Sequence, residues 1–504
     1  MPADARLATA PGTPAVDHPS GLPKIKNRVQ LLSQGHLSSR ELVLDVAEAT
    51  LERLDSYRII RSMASLDGDL LRIGTRAWDL TTKRNVYLIG AGKACNQMAM
   101  AIDHTLGDRL TRGIAIVKVS EETDFFHRTE VHVGGHPLPN EAGHLATQKI
   151  LEMVDSAAPD DLFIAVISGG SSALMNCPVA GISVEEEAEA TDVLLKSGAG
   201  IYQINAVRRH ISQTNGGMLA KRIRATGAEL IGIGISDAVG NPPSADIRVP
   251  SGNYASTPIG PDRTTLDDAR QTIADFDLAD RLPASITAYL AAAGPEAETP
   301  KEFPENTYFL LNTVPDLCRI AKETAEERGI PAYILSSFLE GESKDAGTFM
   351  ASLAREVQAH GNPFTAPCIV LSSGETTTQI TDSSTITGRG GPSQELTAGF
   401  ALAAQAVPGA CMFSIDSEGT DGTSAAAGGI TDSTSALRAK ERSIDLRAAL
   451  RGHATFEALS ELDDAVITGN TGTNLCDFNI LYIPAGSQGT PTPPSSTRTE
   501  GRTP

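Results

Sequence analysis

The sequence predicts an α/β protein of two domains with mainly parallel sheets covered by helices. Short apolar runs, such as residues 164–167 and 229–235, are nearly continuous, as in strands buried on both faces. They alternate with stretches whose apolar residues recur at helical spacing. A segment rich in Pro, Glu and Ala, residues 294–304, breaks this alternation into two halves.

The chain has 504 residues, 40% of them apolar and 21% charged, enough material for sizeable cores. Its net charge of −20 argues against nucleic acid or an anionic membrane as a partner, since both require basic patches. It leaves room for an anionic small substrate, because a few cations can dominate locally. The six cysteines lie far apart with no C-x-x-C pair. Neither a zinc site nor a disulfide framework is suggested, and a reducing cytoplasm fits best. Residues 1–20 lack the apolar core of a signal peptide, and no apolar stretch is long enough to span a bilayer.

In chain order, residues 1–35 are rich in Pro, Ala and Gly and are expected to be a disordered arm. Ser38-Ser39-Arg40-Glu41 has the form of a capping box, and Leu42, Val46, Ala49 and Leu54 continue it as an amphipathic helix. Residues 85–89 form a strand that runs into Gly90-Ala91-Gly92-Lys93-Ala94-Cys95. Met98, Ala101, Ile102 and Leu106 then mark a helix. A strand at 113–119 and a helix at 140–156 follow. The strand at 164–167 breaks into Ser168-Gly169-Gly170-Ser171-Ser172, and the strand at 229–235 ends in Ser236-Asp237.

The first domain is thus expected over 36–298. The second, over 305–484, carries strands at 307–311, 333–337, 368–372 and 479–483, with helices at 315–328 and 345–359. The tail, 485–504, is expected to be disordered.

Residues 90–95 fail G-x-x-x-x-G-K-[ST], because Tyr87 stands at the first glycine and Ala94 follows Lys93. They fail G-x-G-x-x-G because Cys95 stands at the third glycine. Neither a P-loop nor a standard dinucleotide fold is supported. Lys93, at a helix start behind a strand, is either a partner for a bound anion or a solvated lysine. The turn at 168–172 is either a phosphate cradle of backbone N–H groups or a plain strand-to-helix turn. Arg389, flanked by Gly388, Gly390 and Gly391, is either an unobstructed guanidinium for carboxylate or phosphate or an exposed turn residue. Asp237, Glu375, Asp416, Glu418 and Asp421 could carry magnesium or accept a proton, and each also suits a turn or helix cap. His132 and His136 are separated by two glycines and are not expected to share a helix face as metal ligands.

Taken together, these segments resemble the glycerate 2-kinases, a family whose C-terminal part carries the MOFRL domain and whose members are often labelled hydroxypyruvate reductases. The resemblance rests on Gly90–Ala94, Gly135–Gly143, Ser168–Leu174, Val207–Ser212, Ser236-Asp237, Ser373–Thr377, Gly388–Gly391, Gly419–Gly422 and Thr468–Asn474, in the family's order. The MOFRL-like part begins at about residue 366. The resemblance implies two α/β domains with an interdomain cleft, and transfer of the γ-phosphoryl of ATP to the 2-hydroxyl of D-glycerate with magnesium, Mg2+. On this resemblance Lys93 and Arg389 match the catalytic cations. Asp237 is the candidate for magnesium or for orienting the hydroxyl, Ser168, Gly169, Gly170, Ser171 and Ser172 hold nucleotide phosphates, and Glu375, Asp421 and Asn474 serve the nucleotide or closure. A homo-oligomer is compatible with the sequence. The rivals are an NAD(P)H-dependent hydroxypyruvate reductase and a relative that binds nucleotide or sugar acid without turnover.

The chain departs from the family pattern at Asn241-Pro242-Pro243, where an acidic pair is usual, and at residues 250–254, where the family has Ala-Ser-Gly-Pro-Thr. It departs again at Pro392-Ser393 in place of Arg-Asn, and at Asn215 and Met218 in place of a lysine and an arginine. These changes remove charge and bear on which hydroxy acid is accepted.

Overall fold

The computed structural model describes residues 23–121, 124–244, 246–251, 258–303, 307–380 and 383–486. The expectations for residues 1–22 and 487–504, and the departures at 252–254, lie outside the described residues. The chain divides into two units. One comprises the described residues up to Lys26, Leu51–Thr313 and Thr468–Leu475; the other comprises Asn27–Thr50, Val314–Ile467 and the described residues from Cys476.

In the first unit, β1 (Ala64–Asp67), β2 (Leu70–Ile73) and β3 (Arg76–Asp79) form a small antiparallel sheet. Its main sheet contains β4 (Val86–Ala91), β5 (Arg112–Val117), β6 (Thr129–Val133), β7 (Leu162–Ile167), β8 (Glu229–Ser236) and β9 (Thr307–Thr313). All six are parallel, in the order β6-β5-β4-β7-β8-β9. Numbered from the first strand, this is 3-2-1-4-5-6, the doubly wound order of dinucleotide-binding folds. The sequence reading excluded a standard dinucleotide fold on glycine spacing alone. Spacing governs what the first turn can bind, whereas the crossovers set the strand order.

The order reverses between β4 and β7, and each is buried along its length except for half-buried Tyr87. Their side chains join residues from the helices Glu141–Asp155 and Met218–Ala225 in one core. A second helical core gathers residues from Val184–Leu195, Ile201–His210, Leu266–Asp275 and Ala284–Ala292. Strand β9 corrects the expected boundary. The Pro-rich break at 294–304 lies within the crossover from β8 to β9, so the strand expected to open the second domain closes the first sheet.

The second unit contains β10 (Ala332–Leu339), β11 (Cys368–Gly374), β12 (Cys411–Asp416), β13 (Gly428–Asp432), β14 (Ala465–Val466) and β15 (Asp477–Ile483), in the order β10-β11-β15-β12-β13-β14. Only β10 and β11 are parallel; the remaining pairs are antiparallel. The expectation of a mainly parallel sheet fails here for a physical reason. A strand buried on both faces reads as an apolar run whichever way its neighbours point.

Within the arm expected at 1–35, the described residues, 23–35, pack against the rest of the chain. Lys24 pairs with Asp55 at 2.5 Å and donates to the Thr471 carbonyl, and Ile25 is buried. Arg28–Leu31 is a helical turn. The helix Leu37–Arg53 starts one residue before the expected capping box, and Ser39 and Arg40 are buried within it. Ser39 Oγ donates to the Gly409 carbonyl. The Arg40 guanidinium, fully buried, lies 2.5 Å from Asp432 and 2.8 Å from Asp464 and donates to the Leu31 carbonyl. Burial opposes the charge on Asp432, but the field and hydrogen bonds of Arg40, with those of Thr434, hold its pKa down at about 2.

Removing one member of such a pair strands the other charge in the core. Arg40→Met is expected to destabilise this unit by about 3–5 kcal/mol in urea unfolding. Because the folded-state pKa of Asp432 lies below its ordinary 3.8, its contribution is complete above that value and is lost as pH falls toward 2. The wild type should therefore converge on the variant in acid, and a constant difference from pH 7 to pH 2 would contradict the assignment.

Candidate functional site

The ends of β4 and β7 in the first unit carry two glycine turns tied to each other. Past β4, the Lys93 amide donates to the Gly169 carbonyl at 2.9 Å and the Ala94 amide to Ser168 Oγ at 3.0 Å. The Ser168 amide donates back to the Ala91 carbonyl. Gly92, at φ 134°, makes the approach possible, since a Cβ there would lie 2.1 Å from Ser168 Oγ. Among the described residues, the amides of Gly169, Gly170 and Ser172 have no acceptor, and that of Ser171 only leans on the Ser168 carbonyl at 3.4 Å. Three backbone donors therefore stand open at the switch point, where ligands of doubly wound sheets bind.

Asp237, one residue past β8, sits over the same turn: a Cβ on Gly169 would lie 1.6 Å from its Oδ2. Asn474 donates Nδ2–H to that oxygen at 3.1 Å. Sequence reading put Asn474 in the C-terminal domain, but its segment, Thr468–Leu475, belongs to the first unit. Gly170, at φ 82°, lies beneath the His136 ring and the Lys93 stem, each 3.0 Å or less from where a Cβ would be. The structure thus brings together Lys93, the turn at 168–172, Asp237 and Asn474. It adds His136, which sequence reasoning weighed only as a metal ligand, although the segment Gly135–Gly143 that carries it was among those quoted above. Asn215 is buried and donates to the Ser172 carbonyl at 3.1 Å, and Asn241 folds back to donate to Ser236 Oγ at 2.7 Å.

Other motif residues have structural partners. Arg209 pairs with Asp262 at 2.6 Å, and His210 with Glu298 at 3.0 Å. Asp103, His104 and His127 form the one group among the described residues with metal-like proximity. The Asp103 carboxylate, however, accepts from the amides of His127 and Arg128 and from Thr129 Oγ1. Both His104 ring nitrogens are engaged, by Tyr57 and the Phe125 carbonyl.

The remaining candidates lie in the second unit. Arg389 is exposed but not unobstructed: its Nε is 3.1 Å from Glu457, its amide donates to the same carboxylate, and its guanidinium stacks on Phe456 at 4.7 Å. Glu375 is exposed past β11. Asp421 is buried and accepts from the amides of Ser393 and Gln394, capping the helix Pro392–Ala403 from outside. Pro392 suits the first turn of that helix, where no amide donor is needed. Asp477 accepts from the amide and hydroxyl of Thr376. Burial raises both acids to about 7; the charges of Asp421 and Glu375 add to the effect at Asp477, and that of Asp416 adds at Asp421.

Two family models match the chain: a domain of unknown function, DUF4147, over residues 42–291, and the MOFRL family over residues 368–477. The glycerate 2-kinase of Pyrococcus horikoshii is 35% identical over 447 residues, covering 88% of this chain and 97% of the relative. The chain belongs to the glycerate 2-kinase family. It is accordingly an enzyme of the phosphotransferase class with an alcohol group as acceptor. The D-glycerate 2-kinase of Thermotoga maritima is 33% identical over 79% of this chain and 90% of its own. The crystal structure of a T. maritima glycerate kinase superposes with a TM-score of 0.70 at 30% identity, covering 88% of this chain and 99% of that one. A relative in Agrobacterium vitis, 34% identical over 79% of this chain and 86% of its own, carries a hydroxypyruvate reductase name. No helix among the described residues of this family member is long and apolar enough to cross a membrane.

The raised acids give a pH test of the second unit. A carboxyl whose pKa is higher folded than unfolded binds extra protons in the native state. Its contribution is therefore greatest below about 4 and declines as pH rises to about 7. Asp477→Asn removes that decline while keeping an acceptor for Thr376. Its melting temperature should exceed that of the wild type by several degrees at pH 8 and match it near pH 4. An equal offset at both pH values would contradict the assignment.

Proposed function

We propose that this protein is an ATP-dependent kinase that phosphorylates the 2-hydroxyl of D-glycerate or a related small hydroxy acid. The observation that carries the proposal is the set of open amides at Gly169, Gly170 and Ser172, with Lys93 and Asp237 held against the same turn. Such donors suit phosphate oxygens, and Lys93 supplies a fixed positive charge beside them. Phosphoryl transfer needs little covalent chemistry from a protein; it needs the reacting oxygens aligned and the charge on the transferring group neutralised.

Magnesium fits the same place. Mg2+ is commonly held by one or two carboxylates together with substrate phosphates, and the bare Cα of Gly169 leaves the room in which the Asp237 carboxylate sits. When bound, the ion neutralises charge on the β- and γ-phosphate oxygens. Asn474 fixes one Asp237 oxygen, so the carboxylate is oriented before any ligand arrives. Arg389 is assigned as the second cation, its guanidinium held in place by Glu457 and Phe456. Glu375 is assigned to the nucleotide. Asp421 is assigned an indirect role, capping the helix that follows the Arg389 turn.

The reductase reading is less well supported. A dinucleotide pyrophosphate would rest on the first turn after β4, and there the amides of Lys93 and Ala94 are already spent on Gly169 and Ser168.

Incubation with ATP, magnesium and D-glycerate should yield 2-phosphoglycerate, followed by phosphorus NMR. Lys93→Ala should lower kcat by about a hundredfold or more with an unchanged melting temperature. NADH oxidation by hydroxypyruvate without ATP turnover would overturn the proposal, and near wild-type turnover in the variant would remove Lys93 from the mechanism.

A further inference from the structure

Beside the turn that carries Arg389, the second unit has a groove made of two adjoining cavities of about 620 and 260 Å3, which share Lys344 and Leu450; Thr387 and His453 line the larger one. Its charge is opposite to that of the chain as a whole. Against a net charge of −20, the groove is lined by Lys344, Arg447 and Arg451, with His453 beside them and Asp345 the only acid among its described lining residues.

Its basic residues are held in different ways. Arg447 and Arg451 lie four residues apart on the helix Leu446–Arg451, so their side chains are neighbours of like charge. Neither guanidinium has an acidic partner among the described residues, and like charges at this spacing repel unless an anion lies between them. Lys344 is braced by Glu342 at 2.8 Å. His453 Nδ1 lies 2.8 Å from Glu395 Oε1, which leaves Nε2 as the ring atom without a partner among the described residues. Two further features mark this corner. His453 holds a left-handed backbone at φ 52°, which a non-glycine residue adopts at a cost. Glu395 is buried, and its Oε2 has no hydrogen-bond partner. Leu450, the apolar residue shared by both cavities, gives a bound molecule a surface for its carbon end.

We propose that this groove binds a phosphate-bearing metabolite anion. Arg447 and Arg451 grip the phosphate, Lys344 supplies a further donor, and the organic part lies along Leu450. Phosphate suits the set because guanidinium groups present paired donors that match its oxygens. The site does not depend on the kinase assignment, since neither Lys344, Arg447, Arg451 nor His453 takes part in the reaction proposed above.

The test is calorimetric titration of the full chain with three probes: ADP, 2-phosphoglycerate and pyrophosphate. The double variant Arg447→Ala/Arg451→Ala should weaken at least one of them by tenfold or more, with an unchanged melting temperature. Loss confined to ADP would identify a nucleotide site, loss confined to 2-phosphoglycerate a site for phosphorylated acids, and loss of all three a site for the phosphate group alone. A control pair in the other unit, Arg128→Ala/Lys196→Ala, removes the same charge and should leave every affinity as it was. The proposal is overturned if no probe loses affinity in the groove variant, or if the control weakens binding equally. Kinase turnover measured on the same variants separates the two questions: lost phosphate affinity with intact turnover supports the groove alone, and unchanged affinity with intact turnover refutes the groove while the kinase stands.

Discussion

Ser168 is the point on which the first unit's site depends. Its hydroxyl accepts from Ala94, its amide donates to Ala91, and the next carbonyl, that of Gly169, accepts from Lys93. Those contacts join the turn after β4 to the turn after β7 at the place where the strand order reverses. They satisfy the donors of the first turn and leave those of the second open. One strand pair thereby presents Lys93 as a charge and Gly169, Gly170 and Ser172 as donors. Preorganisation of this kind matters because donors that are fixed before charge develops need no reorganisation during the reaction. The absence of side chains at Gly169 and Gly170 is equally necessary: one place is taken by the Asp237 carboxylate, the other by His136 and Lys93.

The second unit is held by buried charge of a different kind. Arg40, from the helix Leu37–Arg53, is fully enclosed with Asp432 and Asp464. Gly35 is part of the same arrangement, since a Cβ there would lie 2.1 Å from Asp432 Oδ2. A buried ion pair adds little net stability compared with apolar packing, but it penalises any arrangement in which one member lacks the other. It thus fixes where an early segment of chain returns to a late one. Asp421 fixes a local arrangement instead, its oxygens accepting from the first amides of the helix Pro392–Ala403.

The strand, turn and helix at 85–106 and the strand and turn at 164–172 were legible in the sequence, because unbroken apolar runs ending in glycine have few other readings. So were the places of Lys93 and Asp237, two residues and one residue past their strands. Direction and long-range partnership were not. The strands of the second sheet read as buried whatever their orientation, and the Pro-rich segment before β9 looks the same as a linker or as a surface crossover. Asn474 gave no sign of belonging beside Asp237, because that contact spans most of the chain and follows only from the fold. Arg389 looked unobstructed because its flanking residues are glycines, and the partners that hold it, Phe456 and Glu457, lie far along the chain.

The turn after β7, and not the turn after β4, is the one whose backbone donors stand free to meet a phosphate. Amide NMR of protein labelled at glycine, serine, alanine and lysine, titrated with ATP and magnesium, tests it most directly. The Gly169, Gly170 and Ser172 amides should move with saturation while those of Lys93 and Ala94 hold their positions. Movement of the Lys93 and Ala94 amides with the other three unchanged would contradict it.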